Sequence, residues 1–348
     1  MSRVQTVDAT LREIADGIFA WEQPDGGWGL SNSGLVTHAG ASLLVDTLFD
    51  KRSTERMLAE MRRKVAAARD VGCVINTHAN GDHCWGNELV EGARIVASSA
   101  CAAEMAELPP AKMAALMALS RGVAGLGALG RGMGRTFSKI GLSKAGSFFE
   151  AAWYLVEAFG SFDFRGTRLV LPNETFDGEL SLDVKGRRVE LFEVGPMHTK
   201  GDTIAWVPDA RVVFTGDVVF NQTHPLVWAG PVGSWLRACE RILALDPVVV
   251  VPGHGPITDA RGVREMADYF ARLTQEARRG YDAGVGAQEA ARQIAPDFAD
   301  GWAGVERLAV NVAALYREFS GSPGEADVFT AFGNMARLAA SLRRGAQA

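Results

Sequence analysis

Residues 14–46 alternate short apolar runs with glycine-rich turns (IADGIFAWEQ, GLVTHAG, ASLLVDT), which predicts a set of paired strands. Over 53–68 the apolar residues Met57, Leu58, Met61, Val65 and Ala66 fall at helical spacing, with Ser53 or Thr54 as the expected N-cap. The run GCVINTHANGDH then reads as a buried strand that stops on a polar loop. A helix leading into a buried strand fits an α/β layer. From 168 onward the β pattern returns in RLVLP, LSLDV, RRVELFEV, TIAWVP and RVVFTGD, followed by a helix over 232–245 and the apolar strand VVVVP at 248–252. The chain from 262 is mostly helical, in VREMADYFARLTQEARR, AQEAARQIA, WAGVERLAVNVAALYREF and ADVFTAFGNMARLAASLRR. No fixed-period repeat occurs. The two β-rich halves suggest two sheets facing each other.

Residues 101–165 break this pattern. They are rich in Ala, Gly, Met and Leu, helical in period but jointed by glycines, and contain no acid between Glu107 and Glu150. Lys112, Arg121, Arg131, Arg135, Lys139 and Lys144 make the segment basic, and it reads as an insertion. Residues 1–262 then form one domain carrying this insertion, and 263–348 a helical extension that packs on the domain or on a partner chain in a homodimer.

The 348 residues are 47% hydrophobic with a formal net charge of −5, which excludes wholesale disorder and gives no basic excess for nucleic acid. Cys73, Cys84, Cys101 and Cys239 contain no C-x-x-C pair and read as buried thiols. The N-terminus lacks a basic start followed by an apolar run, and no apolar stretch reaches the ~20 residues of a membrane span. A cytoplasmic protein without a membrane partner is the expectation.

Only six histidines are present, and four of them stand in loops that each follow a strand. The loops are His78-Ala79-Asn80-Gly81-Asp82-His83, His198 in GPMHTKGD, Asp217 in FTGD, and His254 in VPGHGP. Any one such histidine alone would more often be a core or surface residue. Together, imidazole and carboxylate groups on rigid strand ends are the ligands of zinc, iron or manganese.

This set resembles the metallo-β-lactamase-fold superfamily of metal-dependent hydrolases. The family's first loop is H-x-H-x-D-H, here HANGDH, and the later His198, Asp217 and His254 follow in matching order. Asp46 in LLVDT matches a residue that braces the first loop. The resemblance covers about 14–260 and implies an αββα sandwich with the site at one edge between the sheets. Carried over, His78, His198 and the position of Asn80 form one metal site. Asp82, His83 and His254 form the other, and Asp217 bridges them. Asn80 stands where the family has His, so the resemblance implies one tight metal ion and a weaker second. Zinc is the default, and iron and manganese also fit.

The implied chemistry is attack by a metal-bound hydroxide, with Asp82 or Asp217 orienting the nucleophile and moving its proton. The basic, apolar insertion suits an acyl substrate, in particular a thioester on coenzyme A or an acidic carrier protein. His224, Trp85 and Trp228, each close after a ligand loop, are candidate substrate contacts. His38 has no assigned task. The stretch Thr77–Asn87 (THANGDHCWGN) further resembles the second-ring cyclases of aromatic polyketide pathways, in which the metal would polarise a ketone for aldol closure. A non-catalytic binding protein on a degenerate metal site is the reading of another class. The acidic net charge weighs against an RNA-processing nuclease.

Overall fold

In the computed structural model, residues 9–127, 130, 133, 143–299, 301–322 and 327–345 are described. Two sheets lie face to face. The first has seven strands in sequential order: β1 (Thr10–Ala15), β2 (Ile18–Glu22), β3 (Ser33–His38), β4 (Ala41–Val45), β5 (Cys73–Ile75), β6 (Arg94–Ser98) and β7 (Glu174–Phe176). It is antiparallel from β1 to β4 and parallel from β4 to β7. The second runs β12–β11–β10–β9–β8, from β8 (Glu179–Val184), β9 (Arg187–Glu193), β10 (Thr203–Val207), β11 (Val212–Phe220) and β12 (Val249–His254). Only its β11–β12 pair is parallel.

Strand alternation sorts the side chains into layers. Ile18, Val36, Leu43, Ile75 and Val96 of the first sheet meet Leu182, Val189, Leu191, Val207 and Val251 of the second in one buried cluster. The opposite face of the first sheet, with Leu35, Leu44 and Ile95, is covered by Met57, Leu58 and Met61 of α1 (Lys51–Lys64). On the outer face of the second sheet, Trp235 and Ile242 from residues 232–244 and Val263, Met266 and Phe270 from residues 260–282 join one large cluster. The architecture is therefore the αββα sandwich with a helical extension.

Three local expectations are corrected. The N-cap of α1 is Asp50, whose carboxylate accepts from the Ser53 N–H, rather than Ser53 or Thr54. Thr54 is instead fully buried, with its hydroxyl turned to the Leu48 backbone. RLVLP forms no strand; the chain pairs again only at Glu174, where Arg94 of β6 holds the Glu174 side chain. The boundary placed at 262/263 falls inside the continuous helix 260–282, because that helix is the outer layer of the sandwich itself.

The insertion contains helices at Ser99–Glu107, Pro110–Gly125 and Ser143–Phe159. The last packs against Pro110–Gly125 and against the final helix, Val328–Gly345. Insertion and tail thus form one helical layer within this chain. Lys112 and Arg121 are exposed; Arg131, Arg135 and Lys139 lie outside the described residues. Among the described residues no helix is long and apolar enough to cross a membrane.

Candidate metal centre

The ligands stand on or just after buried strands at one edge of the sandwich. Residues 76–83 follow β5, His198 follows β9, Asp217 lies within β11 and His254 ends β12. The loops are stitched across the two sheets. Asn32 Nδ2 donates to the carbonyls of Pro252 (2.9 Å) and Gly255 (2.8 Å), and Ser31 Oγ donates to the Asp82 carbonyl at 2.5 Å. Two glycines permit the close approach. Gly216 has φ +49° and lies against Thr77, and a Cβ on Gly253 would sit 2.0 Å from Asp217 Oδ1.

Asp217 is the hub. Its Oδ2 is 3.1 Å from His198 Nε2 and 3.7 Å from His78 Nε2. Its Oδ1 is 3.2 Å from His83 Nε2 and 3.5 Å from His254 Nε2. His254 Nε2 is also 3.3 Å from Asp82 Oδ2. The donor atoms of His78, His198 and Asp217 lie within 4.8 Å of one another, as do those of Asp82, His83 and His254. Both groups could hold a metal ion.

Second hydrogen bonds fix which nitrogen each ring presents. His83 Nδ1 donates to Asp46 Oδ2 at 2.9 Å, and His198 Nδ1 donates to the Leu226 carbonyl at 2.7 Å. Thr77 Oγ1 donates to Asp46 Oδ2 (2.7 Å) and so accepts from His78 Nδ1 (3.0 Å). Asp46 also accepts the Thr77 N–H at 2.7 Å, and it adopts φ +62°, a left-handed conformation costly for a residue with a Cβ. In each of these three rings Nε2 is turned to the centre.

The fit to a cation is visible in what is left unsatisfied. Among the described residues, His78 Nε2, His83 Nε2 and Asp217 Oδ1 are buried beside one another without a well-directed hydrogen bond. Such atoms are costly unless something of complementary charge binds them. Burial pushes His78 well below the ordinary histidine range. Burial opposes charge on His83 as well, but Asp217 and Asp46 outweigh it and raise that ring well above the range. Burial also works against the Asp217 carboxylate, yet the imidazoles, His254 foremost, hold it well below the usual range.

Asn80 is half-buried and reaches the first group, where its Nδ2 is 2.8 Å from His198 Nε2. The substrate candidates fare unevenly. Trp85 is 6% exposed, stacks on Phe49 and lies beneath Gly81, so it belongs to the core. His224 is fully buried. Its Nε2 donates to the Phe298 carbonyl (3.0 Å) and its Nδ1 accepts from Tyr269 (3.1 Å), which leaves no atom for a ligand. Trp228 is half-buried on the strip that pairs with the His198 loop, through Ala229 N to the His198 carbonyl, and its ring faces Phe332. His38 is exposed at the end of β3.

Sequence reading missed two groups. Thr77 was only a letter in the loop, yet it links Asp46 to His78. Trp28 donates from Nε1 to the Tyr154 hydroxyl (2.9 Å), which donates to Glu306 (2.7 Å). That chain ties the β2–β3 loop, the insertion and the extension together beside Phe332, and no local motif marks it.

A family model for the metallo-beta-lactamase superfamily matches residues 26–254. The fold is similar to a metallo-beta-lactamase from Pontibacter korlensis, with a TM-score of 0.52 at 17% identity over 76% of this chain and 99% of that one. It is similar also to TMB-1, with a TM-score of 0.50 at 17% identity over 76% of this chain and 98% of that one. In sequence, 86 residues are 34% identical to the 2,4-dinitroanisole O-demethylase subunit alpha of Nocardioides sp. (strain JS1661). That match spans 23% of this chain and a quarter (25%) of the length of that relative.

Proposed function

The chain belongs to the metallo-beta-lactamase superfamily, and from that premise we propose that it is a metal-dependent hydrolase of acyl thioesters or esters. One observation carries the reading: two groups of donor atoms flank the Asp217 carboxylate, and three of those atoms are buried without a hydrogen bond among the described residues. His78, His198 and Asp217 would hold one ion, with the Asn80 amide oxygen as a weak fourth donor. Asp82, His83, His254 and Asp217 would hold the other. Zinc suits this set, as do iron and manganese. When bound, the metal supplies Lewis acidity at a carbonyl and acidifies a water molecule.

The chain's own residues do the rest. Asp217 holds four imidazoles in one arrangement, and Asp46 with Thr77 fixes His83 and His78 from behind. Asp82, whose side chain is 13% exposed, is the ligand carboxylate open enough to take up a proton and return it to a leaving group. Trp228, Trp28 and Phe332 give an apolar aromatic wall beside the His198 loop, suited to an acyl or aryl group. A carrier-bound or coenzyme A thioester is the substrate form expected from the basic insertion.

A second reading rests on Asn80. A poorer donor at the first group favours activation of a ketone over activation of water, as an aldol cyclase of poly-β-ketones requires. Both readings are tested by turnover of a panel of acyl thioesters, esters, lactams and a poly-β-ketone mimic with zinc-loaded protein. 2,4-Dinitroanisole joins the panel because of the O-demethylase relative. Hydrolysis of thioesters or esters above the metal-stripped control supports the first reading, ring closure without hydrolysis the second, and no turnover of any substrate contradicts both.

A further inference from the structure

The loop between β2 and β3, the first turns of α1, the end of the helix Ser143–Phe159 and Glu306 enclose a cleft of about 390 Å³. Sandwich, insertion and extension all line it. Its volume falls in the range of small-molecule sites, near the small end. None of the metal-centre residues lines it.

The lining is of two kinds. Trp28, Tyr154 and Phe162 are aromatic, and Arg52 and Arg56, one helical turn apart on α1, are cationic. The aromatic part is ordered in advance. The Trp28 indole donates to the Tyr154 hydroxyl (2.9 Å), and Phe159 and Phe332 back the ring at 5.3 and 5.5 Å. Such a wall loses little freedom when another ring packs on it. The two arginines are exposed and form neither a hydrogen bond nor an ion pair among the described residues; Arg56 lies over the Trp21 ring at 5.8 Å. The acids at the cleft are mostly engaged elsewhere. Glu157 pairs with Arg343 at 3.4 Å, and Glu306 accepts from Tyr154 within electrostatic range of Arg307. That leaves two cations against Asp25 alone.

We propose that this cleft is a second ligand site, separate from the metal centre, for a small aromatic molecule that carries a carboxylate. Its ring packs on Trp28, Tyr154 and Phe162, and its carboxylate meets Arg52 and Arg56. The site goes beyond the hydrolase reading and does not depend on it. It adjoins the metal centre through one loop: Leu30 lines the cleft, and the next residue, Ser31, donates to the Asp82 carbonyl and pairs with His254. The helical insertion and extension thereby complete a site that the sandwich alone lacks.

The test is a calorimetric titration of 2-naphthoate and its uncharged counterpart 2-naphthamide into the full chain, with and without zinc. Wild type should bind naphthoate at least about fivefold more tightly than naphthamide, the size of one partly exposed charge pair. The ratio should fall to about one in the double variant Arg52→Gln/Arg56→Gln. Ala158 is half-buried and lines the cleft, so Ala158→Trp should fill it and remove binding of both ligands. The wild-type preference should persist after zinc is chelated. A preference that disappears with the metal places the carboxylate on the metal and overturns the proposal. So do no binding of naphthoate, equal binding of the two ligands in wild type, a ratio unchanged in the double variant, or wild-type affinity in a folded Ala158→Trp. The exposed arginines decide the question even where Ala158→Trp does not fold. Failure of every ester and thioester to turn over would defeat the hydrolase reading and leave this titration unaffected.

Discussion

The Asn80 side-chain amide lies 2.8 Å from Nε2 of His198, the nitrogen that also faces Asp217 at 3.1 Å. His198 Nδ1 is committed to the Leu226 carbonyl, so its Nε2 accepts and the amide donates. To serve a cation the amide must turn its oxygen inward instead. An amide oxygen is a weaker donor than imidazole nitrogen for zinc. We propose that the two metal groups are therefore unequal, with the inequality residing in one side chain. Asn80→His should raise affinity at the first group and increase thioester hydrolysis about tenfold or more. Titration of zinc against a competing chelator and a thioesterase assay check this; an unchanged rate would remove Asn80 as the cause of the asymmetry.

Asp46 holds His83 and Thr77 together from behind the donor atoms. Asp46→Ala should lower metal affinity or turnover by about 10- to 100-fold, the usual effect of removing a ligand's support. Asp46→Asn retains hydrogen bonding and should lose less. Metal competition and circular dichroism measured together separate this from unfolding.

Gly253 has no room for a side chain, since a Cβ there would meet Asp217 Oδ1 at 2.0 Å. Gly253→Ala should displace the shared carboxylate and abolish turnover, at a stability cost of about 1–3 kcal/mol. Thermal melts of the metal-stripped protein, paired with metal content, test both parts. Full metal occupancy in the variant would contradict the placement of Asp217.

Both ring nitrogens of His224 are engaged within the fold, which predicts a role in stability. Burial, with Arg307 nearby, depresses its pKa to about 3, against ~6.5 for an exposed histidine. The unfolded chain therefore binds a proton between those values that the folded protein refuses. Stability should fall as pH drops from about 6.5 toward 3, by up to about 1.4 kcal/mol per pH unit from this group. Denaturant unfolding of wild type and His224→Gln across pH 4–7 should show a shallower acid limb in the variant; parallel limbs would refute the assignment.

Much of the centre was legible because its chemistry is local: a strand, a stop, and a short loop of imidazole and carboxylate, repeated along the chain. The alternation of β2, β3 and β4 likewise announces a half-buried sheet. What was not legible depends on partners far away in sequence. RLVLP has strand composition but no neighbour to pair with until Glu174. His224 sits close after a ligand loop, yet Tyr269 and Phe298 from the tail claim both its nitrogens. Trp85 is likewise claimed by Phe49. Arg307 lies in an ordinary amphipathic stretch, and only the fold shows that its charge is buried, capped by the His224 carbonyl and the Trp28 ring.

The central claim is that the four loops build a strong and a weak metal group around Asp217. Its most direct test is elemental analysis of zinc-loaded wild-type protein after exhaustive dialysis. The account predicts close to one tightly held equivalent per chain, with a second lost on dialysis and retained in Asn80→His. Two equally tight equivalents in the wild type, or none, would contradict it.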